Sequence, residues 1–175
     1  MRKFLMLYVV FGLILVNYAD AAEDNVHFSG ALVSQPCTIL DDDTDIKLDF
    51  GSIIEKSLYK YERTTGQPFS IHLVDCNPQI MKIVSITFDG AVDDELTSML
   101  ALDAVSSAKG VAIGLETENG TPLAINKESP YSPLTMGDNL LTYKAYVQAK
   151  PSAVQNNMIA AGEILSTATF TLNYQ

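Results

Sequence analysis

The sequence predicts an all-β protein, an antiparallel β-sandwich of short strands. Two observations lead to this prediction: apolar and polar residues alternate in several separate runs, and each run ends in residues typical of turns. A period of two places successive side chains on opposite faces of a strand, one face buried and one polar. No part of the chain after residue 21 carries the longer period of an extended helix. Strands of this length at this spacing are typical of an antiparallel sandwich.

Six runs are predicted as strands in chain order. In the first, Ile46, Leu48 and Phe50 alternate with polar residues and Gly51 ends the run. The predicted strands are 46–50, 69–74, 83–88, 111–115, 141–149 and 166–174. The sequence Asn119-Gly120-Thr121 matches a glycosylation site, but Asn-Gly is also the strongest hairpin signal, so we predict a turn. The stretch 91–107 is predicted to be a loop, since acidic residues and serines interrupt it.

The N-terminal residues 1–21 are typical of a cleavable secretory signal. Arg2 and Lys3 precede an apolar run, and Ala19-Asp20-Ala21 supplies the small residues that a signal peptidase requires. The apolar run of about 13 residues is shorter than the roughly 20 residues that span a bilayer. We therefore expect export without membrane insertion, with Ala22 as the first residue of the mature chain.

The net charge of the mature chain limits the classes of partner that it can bind. Removing residues 1–21 takes away two basic residues and one acidic residue and changes the net charge from −10 to about −11. Such a charge disfavours nucleic acid and anionic membrane surfaces as partners. The 154 residues left of the 175 are enough for one domain with a core of its own.

Two cysteines, Cys37 and Cys76, are present in a chain predicted to reach an oxidising compartment. A single disulfide is the natural interpretation there. A zinc site with His27 and His72 is the weaker alternative, because neither pair of residues has the usual ligand spacing.

Motifs for catalysis, metals and cofactors are absent from the sequence. Neither histidine lies in a nucleophile motif, and His72 alternates outward in its strand as a surface residue would. The acidic run 41–45 lacks the glycine and distal glutamate of a calcium-binding loop. We therefore predict no enzyme, no catalytic residue, no metal and no cofactor.

Several short motifs, taken together, resemble the subunits of chaperone–usher fimbriae of Gram-negative bacteria, the type 1 and P pilus kind. The segment from Val26 to Val33 alternates before the first cysteine, the second cysteine follows some forty residues later, and the penultimate residue is Tyr174. The other matching segments are Leu48–Gly51, Phe69–Cys76, Ile86–Gly90, Gly110–Leu115, Ala161–Gly162 and Ala168–Gln175. The resemblance covers essentially the whole mature chain.

This resemblance implies an incomplete immunoglobulin-like sandwich that lacks its last strand. The groove left between the first and last strands would be filled in trans, first by a periplasmic chaperone and then, at the outer-membrane usher, by a neighbouring pilus subunit. The domain 36–175 would carry the groove, and residues 22–35 would form a donor-strand extension. The donor residues would be Val26, Phe28, Gly30 and Leu32. The glycine would occupy the position where a side chain would collide with a shallow pocket.

The acceptor side falls on the last predicted strand. The residues implied to line the groove and contact the chaperone are Ala168, Phe170, Leu172, Tyr174 and Gln175. Basic residues of the chaperone would bind the terminal carboxylate of Gln175, and the Cys37–Cys76 bridge would join the first strand to the end of a later one. The subunit would reach the cell-surface fimbrium through the periplasm.

The role within the fibre stays open at this point, and a terminator subunit, whose groove accepts no further donor, is one of the alternatives. Eight tyrosines, six methionines and an acidic balance favour a minor or adaptor subunit over a major one. The alternative function is a self-contained secreted sandwich that binds a carbohydrate or small ligand and pairs residues 26–32 within its own sheet.

Overall fold

The computed structural model describes residues 29–30, 32 and 34–175, and two antiparallel sheets account for the strands of this part of the chain. The strands are β1 Thr38–Ile39, β2 Gln67–Cys76, β3 Ile83–Gly90, β4 Val111–Thr117, β5 Pro122–Leu123, β6 Ser132–Pro133, β7 Gly137–Ala149 and β8 Ala168–Tyr174. Helices are few and short: a 3₁₀-helix at Asp41–Thr44, α1 at Glu55–Tyr61 and α2 at Pro151–Gln155. The predicted all-β antiparallel class is confirmed.

The strands form one five-stranded and one three-stranded sheet. The larger sheet has the order β1-β2-β7-β4-β5, and the smaller has the order β6-β3-β8. Five of the six predicted strands are present as β2, β3, β4, β7 and β8. Glu118 and Asn119 form the turn between β4 and β5 and Gly120 follows at φ +83°, so the turn predicted at Asn-Gly is also confirmed. The stretch 91–107 contains no helix, as expected of a loop.

The sixth prediction, a strand at 46–50, is wrong. The alternation that suggested it is real, because Ile46, Leu48 and Phe50 are partly buried against the core while Lys47 and Asp49 are exposed. A strand also requires a hydrogen-bonded neighbour, and among residues 34–175 this segment pairs with none. The side-chain pattern of a strand is therefore present without its ladder.

The core lies between the two sheets and is built from the alternate residues that face inward. On β3 these are Val84, Ile86 and Phe88, and they face the apolar residues of β2, β4 and β7. The rings of Phe88 and Tyr143 meet edge to face with centroids 5.4 Å apart. Burial raises the pKa of the Tyr143 hydroxyl to about 12.

A disulfide joins Cys37, the residue before β1, to Cys76, the last residue of β2. The bridge closes a separation of 39 residues, and the amide of Asn77 donates to the carbonyl of Pro36 beside it at 2.7 Å. Because β1 has only two residues, the disulfide fastens this edge of the five-stranded sheet more firmly than the β1 ladder can. The expected disulfide is therefore present.

None of the helices described for this chain is long and apolar enough to cross a membrane.

Candidate functional site

The last strand, β8, lies at one edge of the smaller sheet. This strand pairs along its whole length with β3, from Val84 opposite Tyr174 to Gly90 opposite Ala168. On its other side, no strand within residues 34–175 is paired with it. An edge strand of this kind presents unpaired backbone groups and can receive another strand.

The hydrogen-bond pattern shows which residues of β8 face the open edge. Ile83 and Gln175 exchange both backbone hydrogen bonds, each at 2.9 Å, so they form a hydrogen-bonded pair of the antiparallel ladder. Such pairs alternate with pairs whose backbone groups point away from each other. The residues whose N–H and C=O groups point to the open edge are therefore Ala168, Phe170, Leu172 and Tyr174.

The same residues carry side chains that are incompletely covered. Ile86 and Leu172 lie directly opposite each other on the core face, and Val84 and Phe88 have the partners Tyr174 and Phe170. The β3 members of these pairs are 1%, 0% and 6% exposed, in the order Val84, Ile86, Phe88. All three β8 members are only partly buried. The paired residues lie on the same face of the sheet. The greater exposure of the β8 side chains therefore comes from the side of β8 that no described strand covers.

The partly buried apolar residues around the core cluster in two regions. Four belong to the segment 46–53 and three to β8, which together is more than half of those packed against the core. The four in the first segment are Ile46, Leu48, Phe50 and Ile53. Both regions therefore place apolar side chains where further contacts would bury them.

The C-terminal end of β8 is held by a polar network that the sequence did not predict. The backbone oxygen of Gln175 accepts from the amides of Lys82 at 2.6 Å and Ile83 at 2.9 Å. Its side-chain amide donates to the Tyr131 hydroxyl at 2.6 Å, and this hydroxyl donates to the Glu128 carboxylate at 2.8 Å. Residues more than forty positions apart meet here, and no local motif in the sequence marks them.

Hydrogen bonding also shifts the pKa values in this network. Glu128 accepts from the hydroxyl of Ser85 and then from that of Tyr131, and these bonds lower the pKa of its carboxyl. The bond to Glu128 raises the pKa of the Tyr131 hydroxyl. Burial raises the pKa of the neighbouring Tyr174. The carboxylate is therefore ionised and both hydroxyls are neutral around neutral pH.

Two of the four expected donor residues lie outside the described part of the chain. Val26 and Phe28 lie outside the described residues, while Gly30 and Leu32 are described and both are exposed. The side chain of Leu32 is fully exposed to solvent. The assignment of the donor strand therefore stays a prediction.

A cavity of about 820 Å³ opens beside α1, and two of its charged residues, Arg63 and Glu116, form an ion pair. Arg63 donates to the buried carboxylate of Glu116 at 2.9 Å, and its guanidinium lies 3.5 Å from the centre of the Tyr146 ring. A Cβ atom at Gly114 would lie 2.3 Å from that ring, so the glycine makes room for it. These groups hold the segment after α1 against the outer face of the larger sheet.

Comparison with known proteins identifies the family. The sequence model of the family described as fimbrial protein matches residues 26–175. PmfF of Proteus mirabilis (strain HI4320), provisionally named as a minor fimbrial subunit, is 32% identical over 158 residues, 89% of this chain and 87% of that protein.

One further relative and one solved structure extend the comparison to whole chains and to the fold. The fimbrial subunit type 1 of Salmonella typhimurium is 28% identical over 190 residues and spans both chains completely. The crystal structure of the P pilus rod subunit PapA superposes with a TM-score of 0.68 at 23% identity, covering 81% of this chain and all of that chain. The fold is thus the immunoglobulin-like pilin sandwich that lacks a strand. The chain belongs to the fimbrial protein family and is a subunit of a chaperone–usher fimbria of the cell surface.

Proposed function

We propose that β8 is the acceptor strand of this subunit and that residues 22–35 are the donor strand it gives to the preceding subunit. The observation that supports this most directly is the free edge of β8. There the backbone groups of Phe170, Leu172 and Tyr174 lack a strand partner within residues 34–175, and the side chains of the same residues are incompletely covered.

Adding a strand to this edge would be strongly favourable. Complete burial of a large apolar side chain stabilises by about 1.5–3 kcal/mol, and three such side chains of β8 are still partly exposed. Each backbone hydrogen bond of the new ladder adds about 0.5–1.5 kcal/mol. Together these contributions amount to several kcal/mol. Strand addition therefore requires no nucleotide, because the free energy comes from completing the fold of the subunit.

The pattern of the extension supports its role as donor. Val26, Phe28, Gly30 and Leu32 fall on one face of an extended segment. The family match begins at Val26, so this segment belongs to the part of the chain that the family shares. Cleavage after Ala21 would free it in the mature protein.

A periplasmic chaperone would cover the free edge before assembly, and the outer-membrane usher would replace it with the next subunit's extension. One oxygen of the Gln175 carboxylate already accepts from the amides of Lys82 and Ile83. We therefore assign the second oxygen to the basic residues of the chaperone. The Cys37–Cys76 bridge, at the edge where the extension leaves the domain, would fix one rim of the groove.

We further infer a structural, non-enzymatic role as a minor or adaptor subunit. The similarity to PmfF and the tyrosine and methionine content support the minor role. Membership of a family of structural subunits supports the absence of catalysis.

A thermal melt tests the proposed function. The mature chain is compared with a version in which residues 22–35 are repeated after Gln175 through a short flexible linker. The matched control carries the same appended segment with Val26, Phe28 and Leu32 replaced by asparagine in the added copy. We expect the melting temperature to rise strongly with the appended segment and to stay low with the control.

Equal melting temperatures for all three proteins would refute the proposal. The sandwich would then be complete within one chain, and the ligand-binding alternative would take its place.

A further inference from the structure

We propose that Ser85, Glu128, Tyr131 and Gln175 form a C-terminal latch that keeps β8 in register while its edge is uncovered. The inference rests on the proposed function for its last step, since it gives the latch the task of presenting a preformed acceptor strand. The hydrogen bonds that define the latch do not depend on that function.

The latch crosses the whole three-stranded sheet. The segment that carries Glu128 and Tyr131 runs along the side of β3 opposite to β8, with Ser129 donating to Ile86 at 2.8 Å and β6 following directly. Two strand spacings, about 10 Å, separate that side from β8. The Tyr131 hydroxyl and the Gln175 amide together span this distance, since they meet at 2.6 Å.

The latch lies on the outer face of the sheet. The neighbours of Ser85 in β3, Val84 and Ile86, point into the core, so Ser85 points to the opposite face, where Glu128 covers it. Ser85 is 2% exposed although it does not face the core. The latch therefore occupies neither the core face nor the free edge of β8, and it leaves both accessible to an incoming strand.

The hydrogen bonds of the latch can run in one direction only, from donor to acceptor toward Glu128. An ionised carboxylate accepts hydrogen bonds, so Ser85 and Tyr131 both donate to Glu128. The side-chain amide of Gln175 then donates to a lone pair of the Tyr131 hydroxyl oxygen. A phenylalanine at position 131 would remove the link between Gln175 and Glu128 while keeping the ring.

The end of β8 needs such a support for a physical reason. The ends of an edge strand open readily, because such a strand has a ladder on one side only. The last bonds of this ladder are those of Gln175 with Lys82 and Ile83. A side-chain anchor on Gln175 acts at the point where the strand would open first.

Amide hydrogen exchange tests the latch on the full mature chain, refolded with its disulfide intact and purified without a chaperone, so that the edge of β8 is uncovered. In Tyr131→Phe, we expect the amides of Lys82, Ile83 and Gln175 to exchange about tenfold faster, because two hydrogen bonds are lost. The amide of Thr171 keeps its rate, since it lies in the middle of the ladder.

The matched control is Tyr61→Phe, because Tyr61 is 62% exposed on α1 and belongs to no part of the latch. Exchange rates in Tyr131→Phe that stay within about twofold of the control would overturn the inference. A double-mutant cycle with Gln175→Ala adds a second criterion. If both residues act in one latch, the double variant exchanges no faster than the more affected single variant, whereas additive effects contradict the latch.

The link to assembly is tested with a synthetic peptide of residues 22–35. We expect Tyr131→Phe to take up this peptide about fivefold more slowly than the Tyr61→Phe control. Equal uptake rates would overturn the role in presenting β8. If the unsubstituted chain takes up no peptide at all, the proposed function fails, and the exchange rates alone decide whether the latch exists.

Discussion

Substituting Leu172 by alanine measures directly whether an added strand covers β8. Leu172 is partly buried, and its side chain points to the core from the free-edge strand. Its cross-strand partner Ile86 is 0% exposed. We therefore expect the cost of Leu172→Ala to depend on whether the edge is covered and the cost of Ile86→Ala to be independent of it.

The magnitudes follow from the burial of the two side chains. Truncating a fully buried leucine or isoleucine to alanine costs about 2–5 kcal/mol. In the mature chain Leu172 is only partly covered, so we expect a loss of about 2 kcal/mol in the free energy of unfolding. With residues 22–35 appended after Gln175, Leu172 would be fully buried and the loss would rise to about 3 kcal/mol.

Urea denaturation of four pairs of proteins gives these values. Each of Leu172→Ala, Ile86→Ala and the exposed control Thr171→Ala is compared with the unsubstituted chain, both with and without the appended segment. A difference of about 1 kcal/mol for Leu172 corresponds to about 3 °C in melting temperature for a domain of this size. Thr171→Ala tests whether any change in β8 has the same effect.

Equal losses for Leu172→Ala in the two backgrounds would refute the reasoning. The appended segment would then stabilise the chain without covering β8, and the acceptor strand would have to be sought elsewhere. A difference that appears equally for Ile86 would point to a general change in the core instead.

Three further predictions concern the donor, the cavity and the core. Gly30→Leu should leave chaperone capture intact but block incorporation into fibres; normal incorporation would contradict the register, and Ser29→Leu, on the opposite face, is the control. Arg63→Met leaves the Glu116 carboxylate unpaired and should cost about 2 kcal/mol in urea denaturation. Adding Glu116→Gln should restore at least half of this loss; no recovery would show that the ion pair is not the cause. Burial raises the pKa of Tyr143 from near 10 in the unfolded chain to about 12. The unfolded state therefore loses its proton first, and stability should fall by about 1 kcal/mol per pH unit between pH 10 and 12. If the stability of Tyr143→Phe fell equally steeply over this pH range, the fall would come from another titrating group.

The sequence predicts those elements whose signal is local. The alternation in β3 and β8 gave both strands to within two residues of their ends, because inward side chains of a strand must be apolar whatever their partner. The disulfide could also be predicted from the sequence, since two cysteines in an oxidising compartment have one natural pairing.

The failures arise where the outcome depends on a neighbour. The segment 46–50 has the side-chain pattern of a strand but lacks a described ladder partner, and periodicity reports burial rather than hydrogen bonding. Helix α1 was missed because its seven residues bury only Leu58, too little for a helical period to show. Tyr131 and Gln175 are 44 positions apart, and only the folded sheet brings them together.

The two sheets differ in how much they depend on a partner, and this difference explains how folding and assembly are coupled. The larger sheet contains two long ladders, β2 with β7 and β4 with β7. The smaller has one long ladder, the seven pairs of β3 with β8, because β6 contributes only two residues. A sheet needs about three full strands for independent stability. A donated strand would supply the third, so the free energy that joins two subunits is folding free energy of the acceptor. The joint is then as durable as the fold itself, and taking it apart would expose the core face of β8 again.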